Sequence, residues 1–213
     1  SEDTYYLVSA GAWTDYDSDH LLKKAQEKVS DYGYIEISNC TNQWGVFAIA
    51  GPNSRKFLSK IVKTADVTSF LSNSAFPWLS YRKVELGMCP VNAARVAYTG
   101  ELGWELHHPV EMQNYLFDKL LEVGAEFDLK LVGARAQNWL RLEKSYRAFG
   151  TELGRDATPL EAGLERFVDL KKEFFGKQAL ENRTISTKCV TLLIDGPEEA
   201  DPWGREAIYL DKN

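Results

Sequence analysis

Arg95-Val96-Ala97-Tyr98-Thr99-Gly100-Glu101-Leu102-Gly103-Trp104-Glu105 is the stretch on which the fold of this chain turns. Thr99-Gly100 is a turn signal, and side chains alternate on either side of it. The segment predicts a strand, a tight turn and a second strand that returns antiparallel beside the first. Two carboxylates travel with it: Glu101 in the turn and Glu105 on the returning strand. A strand holds a carboxylate on a rigid element, where a small-molecule site needs its polar groups.

Outward from this hairpin the elements are mixed. Residues 46–50 are an apolar strand ended by Gly51-Pro52, which opens a helix bearing Phe57, Leu58 and Ile61. Strands are expected at 83–86, 91–98 and 105–110. Met112, Tyr115, Leu116, Leu120 and Val123 then trace an amphipathic helix closed by Gly124. This order predicts an α+β fold: antiparallel sheets with packed helices and a central split-βαβ, ferredoxin-like subdomain. Towards the start, strands are expected at 5–8 and 35–37, with a helix between them capped by Asp17 or Ser18 and running to Val29. Towards the end, a strand is expected at 127–131 and a helix from Gly133 through Glu143. Thr158-Pro159-Leu160-Glu161 has the form of a capping box with proline in the first helical position, and opens a short helix ending near Glu165. Further strands are expected at 190–194 and 207–210.

Bulk properties narrow the function. The 213 residues carry 44% hydrophobic and 26% charged side chains, the balance of an ordinary globular protein. With 31 acids against 25 bases the net charge is −6, which gives no support to nucleic acid as a partner. No apolar run approaches the roughly 20 residues of a membrane span, so no membrane partner is expected. Cys40, Cys89 and Cys189 are odd in number and far apart, which argues against a disulfide framework or a structural zinc site and for a reducing compartment. His107 and His108 are neighbours, so a strand sends them to opposite faces. Asp15, Asp17 and Asp19 lack the glycine and terminal glutamate of a calcium loop. No metal is expected.

A series of ordered segments resembles the aminomethyltransferase family: the glycine-cleavage T protein and the folate-binding C-terminal regions of dimethylglycine and sarcosine dehydrogenases and oxidases. The segments are Tyr5-Tyr6-Leu7-Val8, Ala50-Gly51-Pro52-Asn53-Ser54-Arg55, Ala75-Phe76-Pro77-Trp78, the stretch from Arg95 to Glu105, Gly133-Ala134-Arg135, Leu140-Arg141-Leu142-Glu143-Lys144, Thr158-Pro159-Leu160-Glu161-Ala162-Gly163-Leu164 and Phe175-Gly176-Lys177-Gln178-Ala179-Leu180. Ala75-Phe76-Pro77-Trp78 and Glu161-Ala162-Gly163-Leu164-Glu165-Arg166-Phe167-Val168 look more like the dehydrogenase branch.

The resemblance implies an aminomethyltransferase folate-binding fold truncated at both ends. Residues 1–44 would be the remainder of a first folate-binding subdomain and 45–125 the split-βαβ subdomain. Residues 126–185 would be a helical return segment, and 186–213 the start of a C-terminal barrel-like domain. It implies tetrahydrofolate as cofactor, an amine-derived one-carbon donor as partner, and 5,10-methylenetetrahydrofolate as product. FAD belongs only to a flavoprotein domain or subunit absent from this chain. The family's essential Asp falls before residue 1, so no catalytic residue is assigned and the chain alone is expected to be inactive. The implied compartment is a bacterial cytoplasm or the mitochondrial matrix.

Site residues follow by position. Glu105 matches the second glutamate of the family's YTGExGxE motif, which binds the pterin ring, and one carboxylate suits the adjacent N–H donors of that ring. Arg135 matches the arginine of a GxR motif that contacts folate; a cation in a first helical turn gains nothing from the helix dipole, which favours a tertiary partner. Tyr98 and Trp104 flank the turn and read equally as pterin-stacking groups or as sheet core. Arg166 stands near where the T protein has a tryptophan beside the folate. Arg95 reads as a structural partner of Glu143 or Glu105. The competing functions are a folate-dependent demethylase of the same superfamily and a non-catalytic interaction module that retains the fold.

Overall fold

The computed structural model describes residues 3–197, 202, 204 and 206–209. The chain divides into two compact units: residues 1–97 with 101–131, and residues 98–100 with 132–213.

The first unit is built on a four-stranded sheet. After helix α1 (Thr14–Tyr32) come β1 (Trp44–Ala50), α2 (Ser54–Ser59), α3 (Val67–Phe70), β2 (Tyr81–Leu86), β3 (Cys89–Ala94), β4 (Gly103–Pro109) and α4 (Gln113–Gly124). The sheet order is β1-β4-β3-β2 and every pairing is antiparallel. The α+β class with an antiparallel sheet and helices is therefore as expected. The pairings do not confirm the split-βαβ arrangement: β1 and β2 lie at opposite edges with β4 and β3 between them.

Alternation along the strands assigns the two faces. Cys89, Val91 and Ala93 of β3 and Trp104, Leu106 and His108 of β4 are buried on one face. Phe57 and Leu58 of α2 and Leu116 and Leu120 of α4 join them in one core. Phe76, ahead of β2, meets Trp104 edge to face, with ring centroids 6.0 Å apart. The other face carries the intervening residues and forms the candidate site.

The quoted hairpin is looser than the sequence predicts. β3 ends at Ala94, because Val96 N donates to Ala94 O and bends the chain out of the ladder. Residues 95–102 then form a loop before β4 starts at Gly103. Gly103 is dictated by packing: a Cβ there would stand 2.6 Å from the Ile49 carbonyl oxygen of β1.

Several expected strands are absent. Residues 5–8, 35–37, 127–131 and 190–194 have apolar or alternating patterns but pair with no strand among the described residues. A strand exists only through its ladder, and local propensity does not supply one. Residues 207–209 are likewise in no strand, and Leu210 lies outside the described residues. Helix α1 starts at Thr14, ahead of the expected caps, and none of its residues is buried.

The second unit contains α5 (Ala134–Glu143) and α6 (Lys177–Glu181) joined by turns. The capping box forms: Glu161 N donates to Thr158 Oγ1 at 3.2 Å, and Thr158 N donates to the Glu161 carboxylate at 2.8 Å. The helix it should open is a single turn. Gly163, at φ +72°, closes it, with Gly163 N donating to Leu160 O and Leu164 N to Pro159 O. That closing pattern is a Schellman motif, so one turn is capped at both ends. Arg141 of α5 is buried, donating to Asn138 Oδ1, Tyr146 O and the Glu152 carboxylate.

Among the described residues, no helix is long and apolar enough to cross a membrane.

Candidate functional site

The open face of the sheet is centred on β4, an interior strand. Glu105 and His107 point to it, opposite the buried Trp104, Leu106 and His108. Register fixes their neighbours. Glu105 stands between Ala48 of β1 and Ala94 of β3, and His107 between Val46 and Asn92. The carboxylate therefore rises from a floor with methyl groups on both sides. Its side chain is 35% exposed.

His107 is buried on this face. Its Nε2 lies 3.4 Å from Glu105 Oε2, and its Nδ1 lies 3.2 Å from the Tyr6 hydroxyl. Tyr6 packs edge-on against the imidazole and also against Trp44, the first residue of β1. Burial pushes the Tyr6 phenol up, with Cys40, Tyr81 and Glu105 adding to the shift, so it keeps its proton. Neither His107 nor Tyr6 was singled out as a site residue in the sequence. The available signal was the period of two, which puts residue 107 on the face of residue 105.

Trp104, read as either a stacking group or sheet core, is core: it is 0% exposed, with Phe76 at its edge. The guanidinium carbons of Arg55 and Arg95 stand 5.6 and 5.8 Å from its ring centroid. No ring surface is left for a ligand. Arg95 pairs with neither Glu143 nor Glu105. It donates to Phe76 O at 2.5 Å instead, and burial, with repulsion from Arg55, lowers its pKa.

The remaining candidates belong to the second unit. Tyr98 is 40% exposed in a turn. Arg135 is exposed in the first turn of α5, N-capped by Gly133, and has no hydrogen-bond or ion-pair partner among the described residues. Arg166 lies in a 3₁₀ turn, Glu165–Phe167, with its guanidinium carbon 4.7 Å from the Phe167 ring centroid. Glu105 and Trp104 are thus together in the first unit, on opposite faces of β4, and the other three lie in the second.

The first unit thus presents a helix-backed antiparallel sheet with one carboxylate, Glu105, on its open face. The chain matches the GCVT N-terminal domain family over residues 1–172 and belongs to that family. Human mitochondrial dimethylglycine dehydrogenase is 41% identical over 202 residues, which is 90% of this chain and 22% of that protein. Human mitochondrial sarcosine dehydrogenase is 34% identical over 97% of this chain and 22% of its own length. An aminomethyltransferase of Alkaliphilus metalliredigens is 38% identical over 84% of this chain and 46% of its own length. The chain therefore spans about a fifth of the dehydrogenases and under half of the aminomethyltransferase.

Proposed function

We propose that this chain is the tetrahydrofolate-binding portion of an aminomethyltransferase-like or dimethylglycine/sarcosine dehydrogenase-like protein, serving the capture of an amine-derived one-carbon unit. The observation that carries the reading is the Glu105 carboxylate, half-exposed on an interior strand and flanked by Ala48 and Ala94. Small side chains on both sides let a flat heterocycle approach, and a carboxylate accepts two adjacent N–H donors in a charge-assisted pair. A 2-amino-4-oxo pterin edge presents that donor pair. The donor set and the floor therefore fit the group.

From the sequence resemblance alone, Arg135, with no hydrogen-bond or ion-pair partner among the described residues, is the cation proposed for the anionic oxygens of the cofactor, and Tyr98 the aromatic proposed to pack on it. Arg166 has a lesser claim, because Phe167 already occupies its plane. Bound tetrahydrofolate would supply N5 as the acceptor of the one-carbon unit. The chain's own residues bind and orient it: Glu105 fixes the edge of the ring and the sheet fixes Glu105. In a dehydrogenase-like whole, a flavoprotein domain or subunit is the proposed partner and the only place for FAD. The proposed compartment is the mitochondrial matrix or a bacterial cytoplasm.

Titration of the chain with tetrahydrofolate under anaerobic conditions tests the reading. Saturable binding, competed by a second reduced folate and not by adenine, supports it. No binding by the folded chain would remove it.

A further inference from the structure

We propose that His107 is a positioning residue that presents the Glu105 carboxylate to its ligand, acting as the Nε2-protonated tautomer that Tyr6 selects. This rests on Glu105 being the ligand-binding group.

The contacts favour one tautomer. A carboxylate presents only lone pairs, and its negative charge favours the proton on the imidazole nitrogen that faces it. That nitrogen is Nε2, 3.4 Å from Glu105 Oε2. In the neutral ring Nδ1 is then an acceptor, and the group facing it at 3.2 Å is the Tyr6 hydroxyl, which can donate. The opposite tautomer would turn a lone pair towards the carboxylate.

The same contacts limit the motion of Glu105. A glutamate side chain on an open sheet face samples many rotamers, and ordering it on binding costs affinity. His107 is itself buried, with its ring fixed by Tyr6 on one side and the sheet on the other. It touches one oxygen of Glu105, while Oε1 accepts from no described residue. Oε2 faces His107 and keeps a second lone pair, so both oxygens can meet the ligand's donor pair while His107 restrains the carboxylate. Neighbouring His108 has no part in this: it lies in the core, stacked on Phe47 with centroids 4.7 Å apart.

The test combines spectroscopy with a binding series on this chain, with tetrahydrofolate as the probe. In the ¹⁵N spectrum of the wild-type protein, above the usual imidazole titration range, His107 should show a protonated Nε2 and a bare Nδ1. A protonated Nδ1 would overturn the proposal without any variant. In calorimetry, His107→Phe should weaken tetrahydrofolate binding about five- to tenfold. His107→Gln, which keeps an amide N–H in the place of Nε2, should recover most of that loss. The double variant of His107→Phe with Glu105→Gln should bind no more weakly than Glu105→Gln alone. Weak binding by Glu105→Gln with full affinity in His107→Phe would overturn the role of His107 and leave Glu105 standing. Full affinity in Glu105→Gln would instead overturn the reading of Glu105 as the ligand group.

Discussion

At the scale of single residues, two side chains show how local chemistry is spent on structure and on function. Glu152 is structural. Burial alone would raise its carboxyl, but hydrogen bonds from the Ala148 amide, the Thr151 hydroxyl and the Arg141 guanidinium outweigh this and hold it down to about 2. The folded pKa lies below the ordinary glutamate value of 4.5, so the stabilisation is complete above that value and is lost as pH falls towards 2. Denaturant unfolding followed between pH 5 and pH 2.5 should show stability falling with acid, and Glu152→Gln should flatten that slope. An unchanged slope in the variant would place the acid sensitivity elsewhere. Glu105 is different: among the described residues its one ion pair is with His107, at 3.4 Å, and its side chain stays 35% exposed. Glu105 is singled out in the sequence because it matches the second glutamate of the YTGExGxE motif of the family that the sequence resembles; the period of two predicts which face of the strand it takes, and the sheet puts it there. Trp104 was open to two readings there, and only its packing against Phe76 decided for the core.

At the scale of elements, the strands and helices of the sheet were legible wherever the pattern and a neighbour agreed. β1, β2, β3, β4 and α4 all lie where alternation or the helical period puts them, within a few residues. The failures share one cause. Residues 5–8 and 35–37 look like strands, but the sheet's ladders run only among β1 to β4. Gly103 shows the reverse, a residue whose reason is invisible until β1 is beside it. Gly103→Ala would drive its Cβ towards the Ile49 carbonyl, a backbone atom that cannot swing aside. It should destabilise the chain by about 1–3 kcal/mol in denaturant melts, and a wild-type melting curve would refute the close approach. The turn capped by Thr158 should lose about 1 kcal/mol on Thr158→Ala, measured the same way. Helix α1 buries no residue, so its amides should exchange with solvent well before those of β4. Equal protection of the two would contradict that.

At the scale of the whole molecule, membership of the GCVT N-terminal domain family was readable from ordered short motifs, although no one of them is decisive. The division into two units was not readable, because it depends on contacts between distant segments: residues 98–100 group with residues 132–213, away from the strands on either side. His107 was missed for a related reason. Its meaning comes from Tyr6, 101 positions earlier in the chain. The functional proposal rests on Glu105, and calorimetric titration of tetrahydrofolate into the wild-type chain and Glu105→Gln measures it most directly. Glutamine puts an N–H₂ where the ligand needs an acceptor, so affinity should fall by about 1.5–3 kcal/mol, with Glu101→Gln falling much less. Equal affinity for wild type and Glu105→Gln, with folding confirmed by circular dichroism, would contradict folate recognition at this carboxylate.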